Sequence, residues 1–274
     1  MLLLPGARLV FTVIIWCRME KSKGESDAIV DFSDAVCYAE RKVFSKEVSA
    51  VKKAMLLLNM VLAALVCWWN YQNLKPGGPD IQALCSAGTV ALGLVNLVFA
   101  LLRRRGRAFC VVMAAGLVLA FLGDRYVSVV FPLGAALFAA GHICYFGAYC
   151  CLRKLRWQDL LWGAVIFIGA AAFLLLYPKL WVLKGKLLCI CLGYALIISF
   201  MTGKAVVLFA GRPSLHTGVI ALGSVLFFVS DLMLVLHRFA FQSWAAVACL
   251  ALYFPAQCLL AHSGFYAPDR ISQC

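Results

Sequence analysis

The chain has 274 residues, of which 64% are hydrophobic and 14% are charged, and its formal net charge is +13. A soluble globular domain is about half apolar and about a quarter charged. The composition therefore excludes an ordinary soluble enzyme, a disordered chain and a disulfide-stapled secreted domain. A polytopic membrane protein remains, because helices satisfy their own backbone hydrogen bonds in lipid.

The first 53 residues differ in composition from the rest of the chain. Residues 18–53 hold seven of the 12 acidic residues. We expect residues 1–53 to form a charged tail, in which residues 29–51 are a candidate interfacial helix. The apolar run at residues 9–17 is too short to span a bilayer and lacks a preceding basic segment, so we do not expect a cleaved signal peptide.

From residue 54 onward, the chain consists of apolar runs of the length that a membrane-spanning helix requires, about 20 residues. Short polar breaks separate eight such runs. The runs are 54–71, 81–102, 108–128, 131–151, 158–177, 186–209, 215–237 and 243–262. We therefore predict an all-α fold, a bundle of about eight transmembrane helices over residues 54–262, followed by a C-terminal tail at 263–274.

The distribution of lysine and arginine predicts the orientation of the bundle, since cytoplasmic loops carry an excess of both. With a cytoplasmic N-terminus, the inside loops hold 12 basic residues and the outside loops hold six. We expect both termini to be cytoplasmic and attribute the positive charge to these loops, not to nucleic-acid binding. In a eukaryote, the short loops would fit the endoplasmic reticulum membrane.

Cysteine and histidine patterns give no sign of a metal or cofactor. The 13 cysteines lie mostly within apolar runs and form no CxxC pair, so we interpret them as small buried hydrophobic residues. Neither HxxxH nor HExxH includes His142, and the chain has no Walker loop or dinucleotide fingerprint. We expect no metal ion and no cofactor.

Two acids lie inside apolar runs, where an ionisable side chain is costly and usually functional. Asp124 is near the end of the third run and Asp231 near the end of the seventh. Odd-numbered spans cross in the same direction, and at about 1.5 Å per residue both acids lie roughly 6–9 Å below one membrane surface. We therefore expect the two carboxyl groups to share a cavity. By contrast, we expect Lys204 to extend to the interface and Asp159 to tolerate substitution.

Further polar residues lie in the fourth and eighth runs. Gly134, Phe138, His142 and Tyr145 fall on one helical face of the fourth run. His142 is either a functional group or a structural hydrogen-bonding residue. Gln257, in the eighth run, either joins helices or faces the same cavity.

Three ordered blocks carry a family resemblance. The first is Leu122-Gly123-Asp124 followed by Phe131, Gly134, Phe138, His142 and Tyr145; the second is Gly223-Ser224-x-Leu226-Phe227-x-x-Ser230-Asp231-x-x-Leu234; the third is Tyr253-x-x-Ala256-Gln257-x-Leu259. In this order they resemble the YhhN-like lysoplasmalogenase family of eight-span membrane proteins. The chain departs from the family pattern at Ala120 and Arg125.

The resemblance implies hydrolysis of the vinyl ether bond of lysoplasmalogen to a fatty aldehyde and a glycerophospho head group. It implies a lysophospholipid substrate and membrane lipid as partners, with no nucleic acid, and leaves homo-oligomer formation open. The implied catalytic residues are Asp124, Asp231 and His142, and the implied substrate-binding residues are Tyr145, Gln257, Tyr253 and Ser230. A two-carboxylate acid/base mechanism suits this reaction, as it does glycoside cleavage.

Within that mechanism we favour Asp231 as the proton donor, because its flanking residues are the more apolar. Arg125 is a candidate contact for the lipid phosphate. Two other classes of protein remain open: a proton- or cation-coupled transporter, since intramembrane acids also form ion pathways, and a non-enzymatic membrane scaffold. The sequence has no inverted repeat and no paired broken helices, which disfavours the transporter.

Overall fold

A computed structural model describes residues 27–78 and 80–267, with side chains from residue 49 onward. Within these residues the chain forms eight α-helices and two short 3-10 turns, and no strand. The helices are α1 (Asp27–Leu74), α2 (Gln82–Arg103), α3 (Arg107–Tyr126), α4 (Phe131–Leu152), α5 (Trp157–Leu176), α6 (Gly185–Gly211), α7 (Leu215–Ala240) and α8 (Ser243–Ser263). The turns are Pro178–Leu180 and Gly264–Tyr266.

All eight helices include a segment long and apolar enough to cross a membrane, which in α1 is Ser49–Leu74. The prediction of an all-α bundle with eight spans is therefore confirmed, and the chain is an integral multi-pass membrane protein. The predicted tails remain predictions, since residues 1–26 and 268–274 lie outside the described residues.

Packing divides the chain into two units between residues 57 and 58. In the first unit the described backbone is helical from Asp27 onward. The second unit contains α2 to α8, in which consecutive helices form the hairpins α3–α4, α5–α6 and α7–α8. Helix α6 also packs on α4 and α7, and α2 packs on α3 and α8. One core includes Tyr145 and Phe227, and a second core, among α5, α6 and α7, includes Leu174 and Leu236.

Local sequence features set the starts of α4 and α7, the helices that carry His142 and Asp231. Pro132 occupies the first turn of α4, where its missing N–H costs no hydrogen bond. Ser214 caps α7 and accepts a hydrogen bond from the backbone N–H of Thr217. These two caps fix where α4 and α7 begin, and so the depth at which His142 and Asp231 lie.

A buried ion-pair cluster at the membrane end opposite Asp124 contradicts two of our expectations. Lys204 is fully buried and donates to Asp159 Oδ2 at 2.7 Å and to the Lys154 carbonyl at 3.0 Å. Arg153 donates to Asp159 Oδ1 at 2.5 Å. The expectation that Lys204 extends to the interface is wrong, because α5 and α6 enclose its ammonium group. Asp159 is likewise not a surface residue that tolerates substitution, since its carboxylate is the counter-charge of Lys204 and Arg153.

Close contact between α3 and α4 gives a test of the packing. A Cβ atom added at Gly116 would collide with the ring of Tyr145. Gly116→Ala should lower the free energy of unfolding by about 1–3 kcal/mol, the usual cost of overpacking, measured by thermal unfolding in detergent. In the matched control Gly147→Ala, the new Cβ meets Val112 at an ordinary 3.7 Å, so stability should hold or rise. Equal melting temperatures for both variants would contradict this packing.

Candidate functional site

Asp124 lies at the centre of a hydrogen-bonded chain that joins four helices, which we call the Asp124 network. Its Oδ2 accepts hydrogen bonds from Ser86 Oγ at 2.5 Å and from Tyr253 OH at 2.9 Å. Tyr253 OH in turn accepts from Gln257 Nε2 at 3.0 Å, and Gln257 Oε1 accepts from Tyr145 OH at 3.0 Å. The network links α2, α3, α4 and α8 and orients the Asp124 carboxylate through two donors.

Asp231 belongs to a second group, the Asp231 cluster, with Tyr194 and His142. Tyr194 OH donates to Asp231 Oδ2 at 2.5 Å and lies 2.8 Å from His142 Nε2. His142 Nε2 is also 3.4 Å from Asp231 Oδ2. Because the tyrosine proton is committed to Asp231, His142 donates from Nε2 to the tyrosine oxygen. The cluster is a short hydrogen-bonded path from a buried imidazole to a carboxyl group.

Phe227 separates the Asp124 network from the Asp231 cluster. Its ring centroid is 4.6 Å from that of His142 and 5.1 Å from that of Tyr253. The ring is fully buried and belongs to the main core. Even so, Asp124 and Asp231 remain close enough to interact electrostatically. The two acids are therefore held by separate partners, on either side of one aromatic ring.

Each acid faces a different cavity. Asp124 lines a polar cavity of about 480 Å³ near the membrane surface, together with Arg125, Arg238 and other polar residues. Asp231 and Tyr194 line a narrow apolar groove of about 40 Å³, whose other walls are almost all hydrocarbon. The polar cavity is in the size range of small-molecule sites, about 300–1,000 Å³, whereas the apolar groove is far smaller.

The polar cavity and the apolar groove adjoin. Val127, Phe131 and Leu234 line both of them. We expected Asp124 and Asp231 to share a single cavity, and the structure instead gives them two neighbouring cavities with a common wall. The arrangement suits an amphiphile, with a polar group on one side of that wall and a chain on the other.

The remaining predicted residues lie behind the two acids. His142 is fully buried against Asp231, and Tyr145, Tyr253 and Gln257 form the inner part of the Asp124 network. None of these four is among the residues that line the polar cavity or the apolar groove. Ser230 lines neither cavity, although its hydroxyl lies 3.9 Å from the Sγ atom of Cys249, which lines the polar cavity.

Sequence reasoning missed Tyr194 and Ser86, each of which contacts an acid directly. Tyr194 had a usable signal, because a tyrosine inside an apolar run needs a partner for its hydroxyl. Ser86 had none, since serine is common in transmembrane helices. Among the described residues, no group of three His, Cys, Asp or Glu side chains could hold a metal ion.

Together, fold and site define a polytopic helical membrane protein with two buried, hydrogen-bonded acids that face adjoining cavities. The sequence profile of the YhhN family matches residues 85–264, well over half of the chain and all of the site. The chain belongs to the YhhN family. No curated protein and no solved structure matches the chain.

Proposed function

We propose that this protein is a lysoplasmalogenase, an intramembrane hydrolase that cleaves the vinyl ether bond of lysoplasmalogen. The products are a fatty aldehyde and a glycerophospho head group. The family's association with this activity supports the proposal. The observation that carries it is the placement of two buried acids where a polar cavity adjoins an apolar groove, because the substrate has one polar head and one hydrocarbon chain.

The reaction needs one proton donor and one group that stabilises a cation. A proton added to the outer vinyl carbon leaves an oxocarbenium ion at the carbon that bears the ether oxygen. Water attacks that carbon and releases one proton, which returns to the acid. The resulting hemiacetal collapses to the aldehyde and the free glycerol hydroxyl. One water molecule is consumed and the acid is regenerated, as in carboxylate-catalysed glycoside hydrolysis.

Asp231 is the proposed proton donor. It lines the apolar groove, where the alkenyl chain would lie, and its neighbours along α7 are mostly apolar. Tyr194 and His142 both contact Oδ2, and no described residue donates a hydrogen bond to Oδ1. Oδ1 is therefore free to hold the proton and face the chain.

Asp124 is the proposed carboxylate that stabilises the oxocarbenium ion and orients water. Ser86 and Tyr253 both donate to its Oδ2, which fixes the orientation of the carboxyl group. Asp124 also lines the polar cavity, through which water reaches the site. The two carboxyl groups thus have the separate surroundings that acid and base roles require.

Purified protein in lipid nanodiscs tests the proposal directly. With a 1-alkenyl lysophospholipid we expect release of a long-chain aldehyde, and with the saturated 1-alkyl analogue, which has no vinyl bond to protonate, we expect none. Absence of aldehyde from folded protein would contradict the proposal. Ion-dependent flux through liposomes without hydrolysis would favour a transporter instead.

Tyr194→Phe should lower aldehyde release about 10-fold or more, because it removes the donor that positions Asp231 and links it to His142. The control Tyr149→Phe makes the same change in a buried tyrosine that bonds to Ser224 at 2.8 Å. Tyr194→Phe should lose more stability than the control, since it removes two buried hydrogen bonds and Tyr149→Phe removes one. Only Tyr194→Phe should lose turnover at saturating substrate, and equal turnover in the two variants would exclude the positioning role.

The proposed partners are the lysophospholipid substrate and the surrounding membrane lipid. The proposed location is the endoplasmic reticulum membrane if the source is eukaryotic.

A further inference from the structure

We propose that Arg125 and Arg238 select the substrate by binding a phosphate ester in the polar cavity. This assignment rests on the proposed lipid hydrolysis and names the part of the substrate that the cavity recognises. Both arginines line the polar cavity, one from the end of α3 and one from the end of α7.

Both guanidinium groups are available to a ligand. Asp124 takes its hydrogen bonds from Ser86 and Tyr253, and no described residue forms an ion pair or hydrogen bond with the side chain of Arg125 or Arg238. Guanidinium groups bind phosphate through paired N–H donors. Two such groups at one cavity form a site for an anion.

Three other ionisable side chains line the polar cavity, and two of them are acids. They are Asp80, Asp124 and His237. Asp80 has a carboxylate oxygen 3.4 Å from the backbone N–H of Gln82, at the start of α2. Asp124 lies deeper, with its Oδ2 held by two donors. The two arginines, in the last turns of α3 and α7, are the permanent positive charges of the polar cavity.

The spacing along α7 matches a lysophospholipid. Arg238 follows Asp231 by seven residues, which is about 10 Å along a helix axis. In an extended lysoplasmalogen, the phosphorus atom and the outer vinyl carbon are about 8 Å apart. A phosphate held at Arg238 thus places the vinyl ether near Asp231 and the chain in the apolar groove.

Helix-dipole stabilisation is the simpler role for an arginine in a last helical turn. That role affects stability but not the preference for one ligand over another. The test is therefore a ratio of affinities, measured with lipids that the protein does not cleave.

The experiment compares a saturated 1-alkyl lysophospholipid with the 1-alkylglycerol of the same chain, which lacks the phosphate. Full-length protein in nanodiscs should bind the phospholipid at least 10-fold more tightly, in line with the strength of charged hydrogen bonds. Arg125→Gln and Arg238→Gln should each remove most of that preference, and Arg238→Lys should keep part of it. Arg212→Gln, an exposed arginine at the opposite membrane end, should leave it unchanged.

Equal binding of the two lipids by the wild-type protein, or an intact preference in both glutamine variants, would overturn the proposal. Displacement of the lipid by micromolar inorganic phosphate would assign the arginines to a soluble anion and overturn it as well. Binding needs no turnover, so a phosphate preference without aldehyde release would reject only the hydrolase. Hydrolysis without a phosphate preference would reject only the role of the arginines.

Discussion

Asp231→Asn should lower aldehyde release by about 10² or more, because general acid catalysis typically contributes 10²–10⁴-fold. The amide keeps the shape of the side chain and can still accept from Tyr194, but it has no proton to give to the vinyl carbon. Expression and melting temperature should change little, since an amide is cheaper to bury than an acid. Aldehyde release and thermal unfolding of the same preparation separate the two effects.

Asp124→Asn belongs to the same experiment. It should lower aldehyde release by a similar factor if the Asp124 carboxylate stabilises the oxocarbenium ion. Ser199→Ala is a suitable control, because it removes a buried hydroxyl that has no hydrogen-bond partner among the described residues. Wild-type turnover in both asparagine variants would reject the two-carboxylate mechanism. Loss in one variant alone would reduce it to a single acid acting with water.

The second large effect concerns stability and the buried ion-pair cluster of Arg153, Asp159 and Lys204. Asp159→Leu should lower the free energy of unfolding by about 3–5 kcal/mol, because it leaves the ammonium group of Lys204 buried without a counter-charge. Lys204→Met should cost less, since Asp159 keeps its contact with Arg153. Thermal or denaturant unfolding in detergent measures both.

The double variant Asp159→Leu/Lys204→Met gives the decisive comparison. If the two charges stabilise each other, the double variant should lose less than the sum of the single losses. Strictly additive losses would contradict the coupling. Aldehyde release per folded molecule should stay near wild type in all three variants, because the cluster lies at the membrane end opposite Asp124.

The number of spans and the buried face of α4 were readable from the sequence. Hydropathy over about 20 residues decides whether a segment is stable in lipid, and this is a local property. The buried face of α4 followed from the sequence because the helical period is fixed: Gly134, Phe138, His142 and Tyr145 are all buried. The equal depth of Asp124 and Asp231 stays a prediction, since α3 ends two residues after Asp124 and α7 ends nine residues after Asp231.

Only the tertiary structure decided which polar groups meet. Tyr194 reaches Asp231 because α6 packs between α4 and α7, and no local pattern states which helices are neighbours. The same packing encloses Lys204, whose side chain would extend to water if α5 did not present Asp159 beside it. It also places Phe227 between the acids and leaves two adjoining cavities where one was expected. Hydropathy fixes each helix in the membrane, whereas hydrogen-bond partners depend on contacts between helices far apart in the chain.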